Sequence, residues 1–326
     1  MLSTQNYSVI IAMMILSLVC WGSWANTQKL ATKIRFEYFY LDFSFGVLAT
    51  SFIIALIFGS NQAIGSSFLS NLIKADFIHI AIAFFGGIIF NVANFQLVVA
   101  IEMAGMSVAF PIAIGIATII GGLLNYLIDP QGYLPFISAG MVMMLFAVVS
   151  ASLAYGRIKS VESKFKKKGF LIAVFCGLLM SLWSPIVTYS YLPGTGSLDV
   201  FGAFSMMSIG IISSSVALIP ILLKNPIIPP KVNDKIPYIK EAPSRHIGGL
   251  LGGMIWAIGT MSFYLASTRA GAAVAYTFGQ GAPLIATAWG LFIWKEFKGA
   301  EGSKKFLIAL FSFYIGGLIL LAKAGS

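Results

Sequence analysis

Charge is what this chain has least of: Asp, Glu, Lys and Arg make up 10% of its 326 residues. Soluble domains carry about 25% charged residues, so a water-facing globular fold is excluded. Cysteine and histidine are scarcer still, at two each. Cys20 and Cys176 both lie in apolar runs and read as small apolar side chains, with neither a disulfide nor a metal site implied. His79 and His246 stand at the ends of apolar runs without a partner at ligand spacing, and read as interfacial histidines. There is no HExxH, no GxSxG, no CxxC pair and no Walker A loop, so no enzyme is encoded and no cofactor is expected. No Lys or Arg precedes Lys29, so the start lacks the basic segment of a cleaved leader and reads as a helix.

Apolar runs fill the chain instead. Hydrophobic residues reach 58% and the mean hydropathy is +0.91, which marks a multi-pass protein of the inner or plasma membrane. Ten spans fit, near 9–28, 39–58, 77–100, 106–128, 133–155, 169–191, 200–223, 246–266, 271–294 and 304–322. Lipid satisfies no open sheet edge, so all of them are expected to be helices.

Of the 21 basic residues, 18 fall in or beside alternate loops, those after spans 1, 5, 7 and 9, and only Lys74, Arg269 and Lys323 fall on the other side. This places the basic loops in the cytoplasm and both termini outside. A net charge of +10 arranged this way is a topology signal beside anionic lipid and gives no reason to expect nucleic acid. The strongest anchor is Arg157, Lys159, Lys164, Lys166, Lys167 and Lys168. The loop from Lys224 to Arg245 holds five of the twelve prolines and reads as an extended connector.

An internal repeat sets the architecture. Gly86 to Ile128 and Gly252 to Trp294 align without a gap at an offset of 166, with identities at Gly86, Gly87, Ile89, Ala100, Ala104, Gly105, Val108, Ala109, Gly115 and Ile119. Trp21 matches Trp183, and Leu41-Asp42 matches Leu198-Asp199. Five spans per half is an odd number, so the second half enters the membrane from the opposite side. The expected fold is therefore all-α and polytopic, with ten transmembrane helices as two inverted five-helix repeats. Residues 1–156 form the first repeat, 157–169 a basic linker and 170–326 the second. Inverted repeats can exchange conformations, which gives a transporter its two access states.

Polar residues inside the spans are the candidates for chemistry, because a buried unpaired amide costs several kcal/mol. Asn91 and Asn94 share a face of span 3, while their repeat mates are Ala257 and Thr260. Tyr276, Thr277 and Gln280 share a face of span 9, opposite Phe110, Pro111 and Ile114 in the mate. Polarity that breaks the repeat suits an asymmetric solute bound near mid-membrane; polar residues gluing helices together is the alternative. Trp21 and Trp24 in span 1 and Trp183 in span 6 offer flat walls for a ring-shaped solute. An interfacial aromatic belt is the other reading of Trp24. Pro111, Pro185 and Pro283 interrupt helical hydrogen bonding and are candidate flex points for gating.

Asp42 is the candidate proton carrier, because starting span 2 after it leaves too few residues to cross the bilayer. Pairing with Lys29, Lys33 or Arg35 is the competing reading. Asp199 is followed by a full-length apolar run and is expected as a helix N-cap. The glycines of span 8 (Gly248, Gly249, Gly252, Gly253) read as a surface for close helix packing.

Gly22-Ser-Trp24, Tyr40-Leu-Asp42, Gly86-Gly87-Ile88, Asn94, Gly105 followed by Ser107-Val108, and Asn125-Tyr126 together resemble the ureide permease family. That family belongs to the drug/metabolite transporter superfamily, near its glucose, ribose and rhamnose porters. Glu296 and Gly316-Gly317 are similar to the general superfamily pattern. The resemblance implies ten helices in two inverted halves and proton-coupled uptake of small polar heterocycles such as allantoin and uracil. Plant members carry a longer central loop with a Walker-A-like sequence, which this chain lacks. The expected partners are a small-molecule solute, the proton and the bilayer, with a homodimer allowed for. A sugar porter, a drug or metabolite exporter and a non-transporting scaffold or receptor are the alternatives.

Overall fold

The computed structural model describes residues 6–31, 34–59, 67–158, 166–226 and 236–326. Every regular element among them is a helix. The first span is α1 (Tyr7–Ser23) continued by the short α2 (Asn26–Leu30), with a break at Trp24-Ala25. The second is α3 (Phe36–Phe58). A short helix, α4 (Phe68–Lys74), was not legible in the sequence. The third span is α5 (Phe77–Ala104). The fourth runs through α6 (Met106–Ile116), a π-helical turn (Ala117–Gly121) and α7 (Gly122–Ile128). Then follow α8 (Leu134–Tyr155), α9 (Lys166–Tyr191), α10 (Val200–Lys224) and α11 (Pro243–Ala270). The ninth span is α12 (Ala272–Gly279), α13 (Ala282–Ala288) and a π-helical turn (Trp289–Ile293); the tenth is α14 (Lys304–Ala324). Among the described residues, nine helices are long and apolar enough to cross a membrane. The chain is thus an all-α, multi-pass membrane protein. Lys33, Lys159 and Lys164 lie outside the described residues.

The ninth span, expected at 271–294 with an interruption at Pro283, breaks slightly earlier. It breaks at Gln280-Gly281, where Gly281 N–H turns back to the Phe278 carbonyl at 3.0 Å. Gly279 and Gly281 weaken the helix locally. Pro283 follows in the first turn of α13, where its missing N–H costs nothing. Pro111 and Pro185, by contrast, stand inside α6 and α9.

Two compact units form, each drawing on both halves of the sequence. The first comprises Met1–Gly22, Val92–Pro185 and Ser262–Ser326. In it α8 packs along α14 and α6. Gly140 makes room for Leu321, and Gly177 lets α9 approach Ile116 and the Ala113 carbonyl. The Asp129 carboxylate accepts from Ala272 N–H at 3.0 Å, so it occupies the positive end of α12.

The second unit comprises Ser23–Asn91 and Ile186–Met261, and in it α3 packs against α10. Asp199 is the N-cap of α10, accepting from Gly202 N–H at 2.6 Å, as the sequence leads one to expect. Burial holds its carboxyl above the usual range, against the pull of the Gly202 and Phe201 N–H groups. The glycine stripe of α11 packs closely: a Cβ on Gly249 would collide with Asp42 Cβ and the Phe39 carbonyl, and one on Gly253 with the Phe43 carbonyl. Its mate Gly87 meets the Met207 carbonyl of α10 in the same way.

Several repeat mates touch. In the second unit Phe90 and Trp256 lie 4.6 Å apart. Ser51 and Ser208, nine residues beyond Asp42 and Asp199 respectively, are joined by a 2.8 Å hydrogen bond. In the first unit Trp21 and Trp183 lie 6.1 Å apart. Gly105 and Gly271 share one left-handed backbone conformation, at φ 82° and 87°. Two-fold-related residues meet their own mates only near the axis, so these contacts accord with the inverted-repeat plan.

Candidate functional site

An aromatic cage occupies the first unit. Trp21 of α1 sits 6.1 Å from Trp183 of α9 and 5.5 Å from Phe263 of α11. Trp183 sits 6.1 Å from Phe263 and 6.2 Å from Tyr276 of α12. Edge-on and tilted geometries of this kind are the favourable ones for aromatic quadrupoles. Trp183, Phe263 and Tyr276 are buried, and Trp21 is half-buried.

A π-helical turn and two glycines of the neighbouring spans position these rings. The π-helical turn at Ala117 places a backbone carbonyl 3.1 Å from the Tyr276 hydroxyl, and the Met180 carbonyl lies 3.2 Å from it. The hydroxyl donates to either. Gly121 leaves room for the Tyr276 ring, and Gly279 leaves room for Trp21.

Of the polar residues expected on span 9, Tyr276 lines the cage, and the Thr277 hydroxyl faces Gly122 of α7. Thr277 is fully buried, and its hydroxyl has no hydrogen-bond partner among the described residues. Such a hydroxyl costs about 1–3 kcal/mol when left dry. Gln280 is half-buried and emerges at the helix break, its N–H held by the Tyr276 and Thr277 carbonyls at 3.1 Å each. Asn94 is buried on the part of α5 that belongs to this unit.

Asn91, Trp24 and Asp42 belong to the second unit. Asn91 is fully buried and engaged by its surroundings. Its Nδ2 donates to Ser214 Oγ at 2.8 Å and Ser215 Oγ at 3.1 Å, and its Oδ1 accepts from Tyr40 at 3.0 Å. It joins α3, α5 and α10. Trp24 lies at the break between α1 and α2, with its ring 4.6 Å from Phe43. Phe43 in turn packs 5.3 Å from Tyr40 and 6.0 Å from Trp256.

Asp42 is buried in the second turn of α3. Its partners are not the expected Lys29 or Arg35: Arg35 pairs with Glu37 at 3.2 Å, and Lys29 is exposed. Asp42 accepts instead from the Tyr238 hydroxyl, on the connector, and from His246 Nδ1 at 2.9 and 3.0 Å. Burial first, and then the adjoining Asp42 carboxylate, push the Tyr238 hydroxyl far above the ordinary tyrosine range. Tyr238 is therefore a donor throughout the physiological range. His246, expected as an interfacial histidine, thus has a carboxylate partner. Nothing in the sequence marked Tyr238 or Phe263. Among the described residues, no group of three or more His, Cys, Asp or Glu gathers to hold a metal ion.

A family model described as sugar transport protein matches residues 13–322. Ureide permease 4 of Arabidopsis thaliana is 25% identical over 97% of this chain and 97% of its own length. Ureide permease 2 of the same plant is 24% identical with the same coverage. The glucose uptake protein GlcU of Bacillus subtilis (strain 168) is 25% identical over 73% of this chain and 74% of its own. A solved structure described as "Crystal structure of protein" has the same fold, with a TM-score of 0.65 across 97% of this chain and 96% of that one at 17% identity.

Proposed function

The chain belongs to the sugar transport protein family, and we propose that it is a proton-coupled secondary transporter that imports a small, neutral, ureide- or nucleobase-like solute by alternating access. Its relatives are permeases and uptake proteins, so it is a transporter of small solutes and not an enzyme. One observation carries the finer reading: the ninth span breaks at Gln280-Gly281 beside the cage of Trp21, Trp183, Phe263 and Tyr276. Transporters bind solutes where helices are interrupted, because the interruption exposes polar groups inside an apolar slab.

In this reading a flat ring lies against Trp21 and Trp183. The Thr277 hydroxyl and the Gln280 and Asn94 amides meet its polar edge. Uncharged donors and acceptors suit a neutral solute. Asn91 serves the scaffold, since its polar atoms already have partners, and Trp24 supports Phe43 beside Asp42. Asp42 exchanges the proton. Pro111, Pro185 and Pro283 supply flexure, and residues 1–156 and 170–326 act as the two repeats joined by 157–169.

A monosaccharide is the second reading, favoured by the family description and by the likeness to a glucose uptake protein. Sugar rings also stack on indole and take hydrogen bonds from amides. Asn94→Ala and Gln280→Ala are each expected to lower uptake of the transported solute about tenfold, the effect of one lost hydrogen bond in a dry site. Labelled uptake at matched expression measures it, with unlabelled uracil, allantoin and glucose as competitors. If both variants transport at the wild-type rate, the cage is not the solute site.

A further inference from the structure

We propose that His246 and Tyr238 complete a three-residue proton site with Asp42, in which His246 shares the proton with the carboxylate and Tyr238 clamps it from the connector. The inference rests on the reading of Asp42 as the proton carrier.

A carboxylate this deep in an apolar span needs donors, and each of its two comes from a different element. The His246 side chain is 18% exposed, whereas that of Asp42 is 2% exposed. In this conformation His246 thus stands at the boundary between the carboxylate and the surroundings. Its Nδ1 lies 2.9 Å from one carboxylate oxygen and 3.0 Å from the other. A proton on Nδ1 can therefore move to either oxygen without rearrangement of the helices.

Tyr238 fixes the geometry. Its ring packs edge-on to His246 at 4.7 Å and to Tyr38 at 5.4 Å. The Tyr38 hydroxyl donates to the Ile236 carbonyl at 3.3 Å, which holds the connector down on α3. Gly249, three residues beyond His246, lets the α11 backbone approach Asp42.

Among the described residues, the other charged groups near the cluster are paired or exposed. Arg35 and Glu37 at the start of α3 pair with each other, Glu241 of the connector pairs with Arg245 of α11 at 2.6 Å, and Lys29 of α2 is exposed. Among the described residues, His246 is the one basic side chain in contact with Asp42.

Infrared titration of the purified full chain in lipid tests this without a solute. The carboxyl band missing from Asp42→Asn identifies Asp42. Losing the histidine's hydrogen bond to the carboxylate, together with its positive charge when it is protonated, raises the carboxyl titration by about one unit. The Asp42 band is therefore expected to persist to a pH about one unit higher in His246→Gln. A smaller shift in the same direction is expected in Tyr238→Phe, which deletes one oxygen and keeps both ring contacts, so it folds even if the histidine variant does not. Asp42 bands titrating as in wild type in Tyr238→Phe, and in His246→Gln where it folds, would overturn the proposal. The coupling role of Asp42 is read separately, by solute accumulation in Asp42→Asn. The two ideas can therefore fail independently.

Discussion

Asp42→Asn is expected to abolish concentrative uptake while leaving solute exchange intact. Asparagine has nearly the shape of aspartate, and its Oδ1 still accepts from Tyr238 and His246, so the packing against Gly249 survives. It cannot take up and release a proton. With one proton moved per solute, a pH gradient of about one unit supports about tenfold accumulation, because 1.4 kcal/mol is a factor of ten. The variant should bring this ratio to one. Labelled solute in vesicles with an imposed pH gradient measures the ratio, with an uncoupler as control. Concentration of solute by Asp42→Asn at the wild-type level would remove Asp42 from coupling.

Gly253→Leu is expected to eliminate the folded protein. At this position α11 crosses α3 with backbone against backbone. A Cβ would collide with the Phe43 carbonyl and stand 2.8 Å from Val47 N and 2.9 Å from Gly46 Cα. No side chain can rotate away to relieve this, so the helices would have to separate. Separation would pull Trp256 from Phe43 and Phe90, which lie 6.0 and 4.6 Å away. Overpacking by a few methylenes already costs about 1–3 kcal/mol where side chains can adjust, and here they cannot. Gly115→Ala is the contrast: its nearest neighbour is the end of the Leu145 side chain at 3.2 Å, which can move. Yield and thermal stability in detergent should separate the two variants. Wild-type melting of Gly253→Leu would show that the crossing is not tight.

Much of this structure was legible in the chain. Apolar runs bounded nearly every span to within a few residues, since in lipid an apolar run of that length has no alternative to a helix. The Ala-Gly turns at Gly105 and Gly271, which pointed to a repeat, share a backbone conformation that glycine adopts readily. Asp199 was readable as a cap from the full-length apolar run behind it. Trp21, Trp183, Tyr276 and Thr277 were selected one by one from composition and helical spacing, and in the structure Trp183 packs against both Trp21 and Tyr276, with Thr277 following Tyr276 along α12.

The rest depended on contacts between segments distant in sequence. Asp42 stood out by its burial, but its partners lie about 200 residues away, and one is on a proline-rich connector whose sequence carries no periodicity. The break at Gln280-Gly281 lies just before Pro283, where the sequence suggested an interruption, but its position was not legible from the proline alone. Asn91 shows the limit from the other side. A buried amide looks the same in sequence whether it waits for a solute or ties three helices together through Tyr40, Ser214 and Ser215.

Flux into proteoliposomes holding only this protein is the most direct measurement. Labelled uracil, allantoin and glucose should be offered one at a time, with and without an inward proton gradient. At least one ring solute should enter faster than into protein-free liposomes and accumulate when the gradient is applied. Entry of none of them, under conditions where the purified chain remains folded, would contradict solute transport through the aromatic cage.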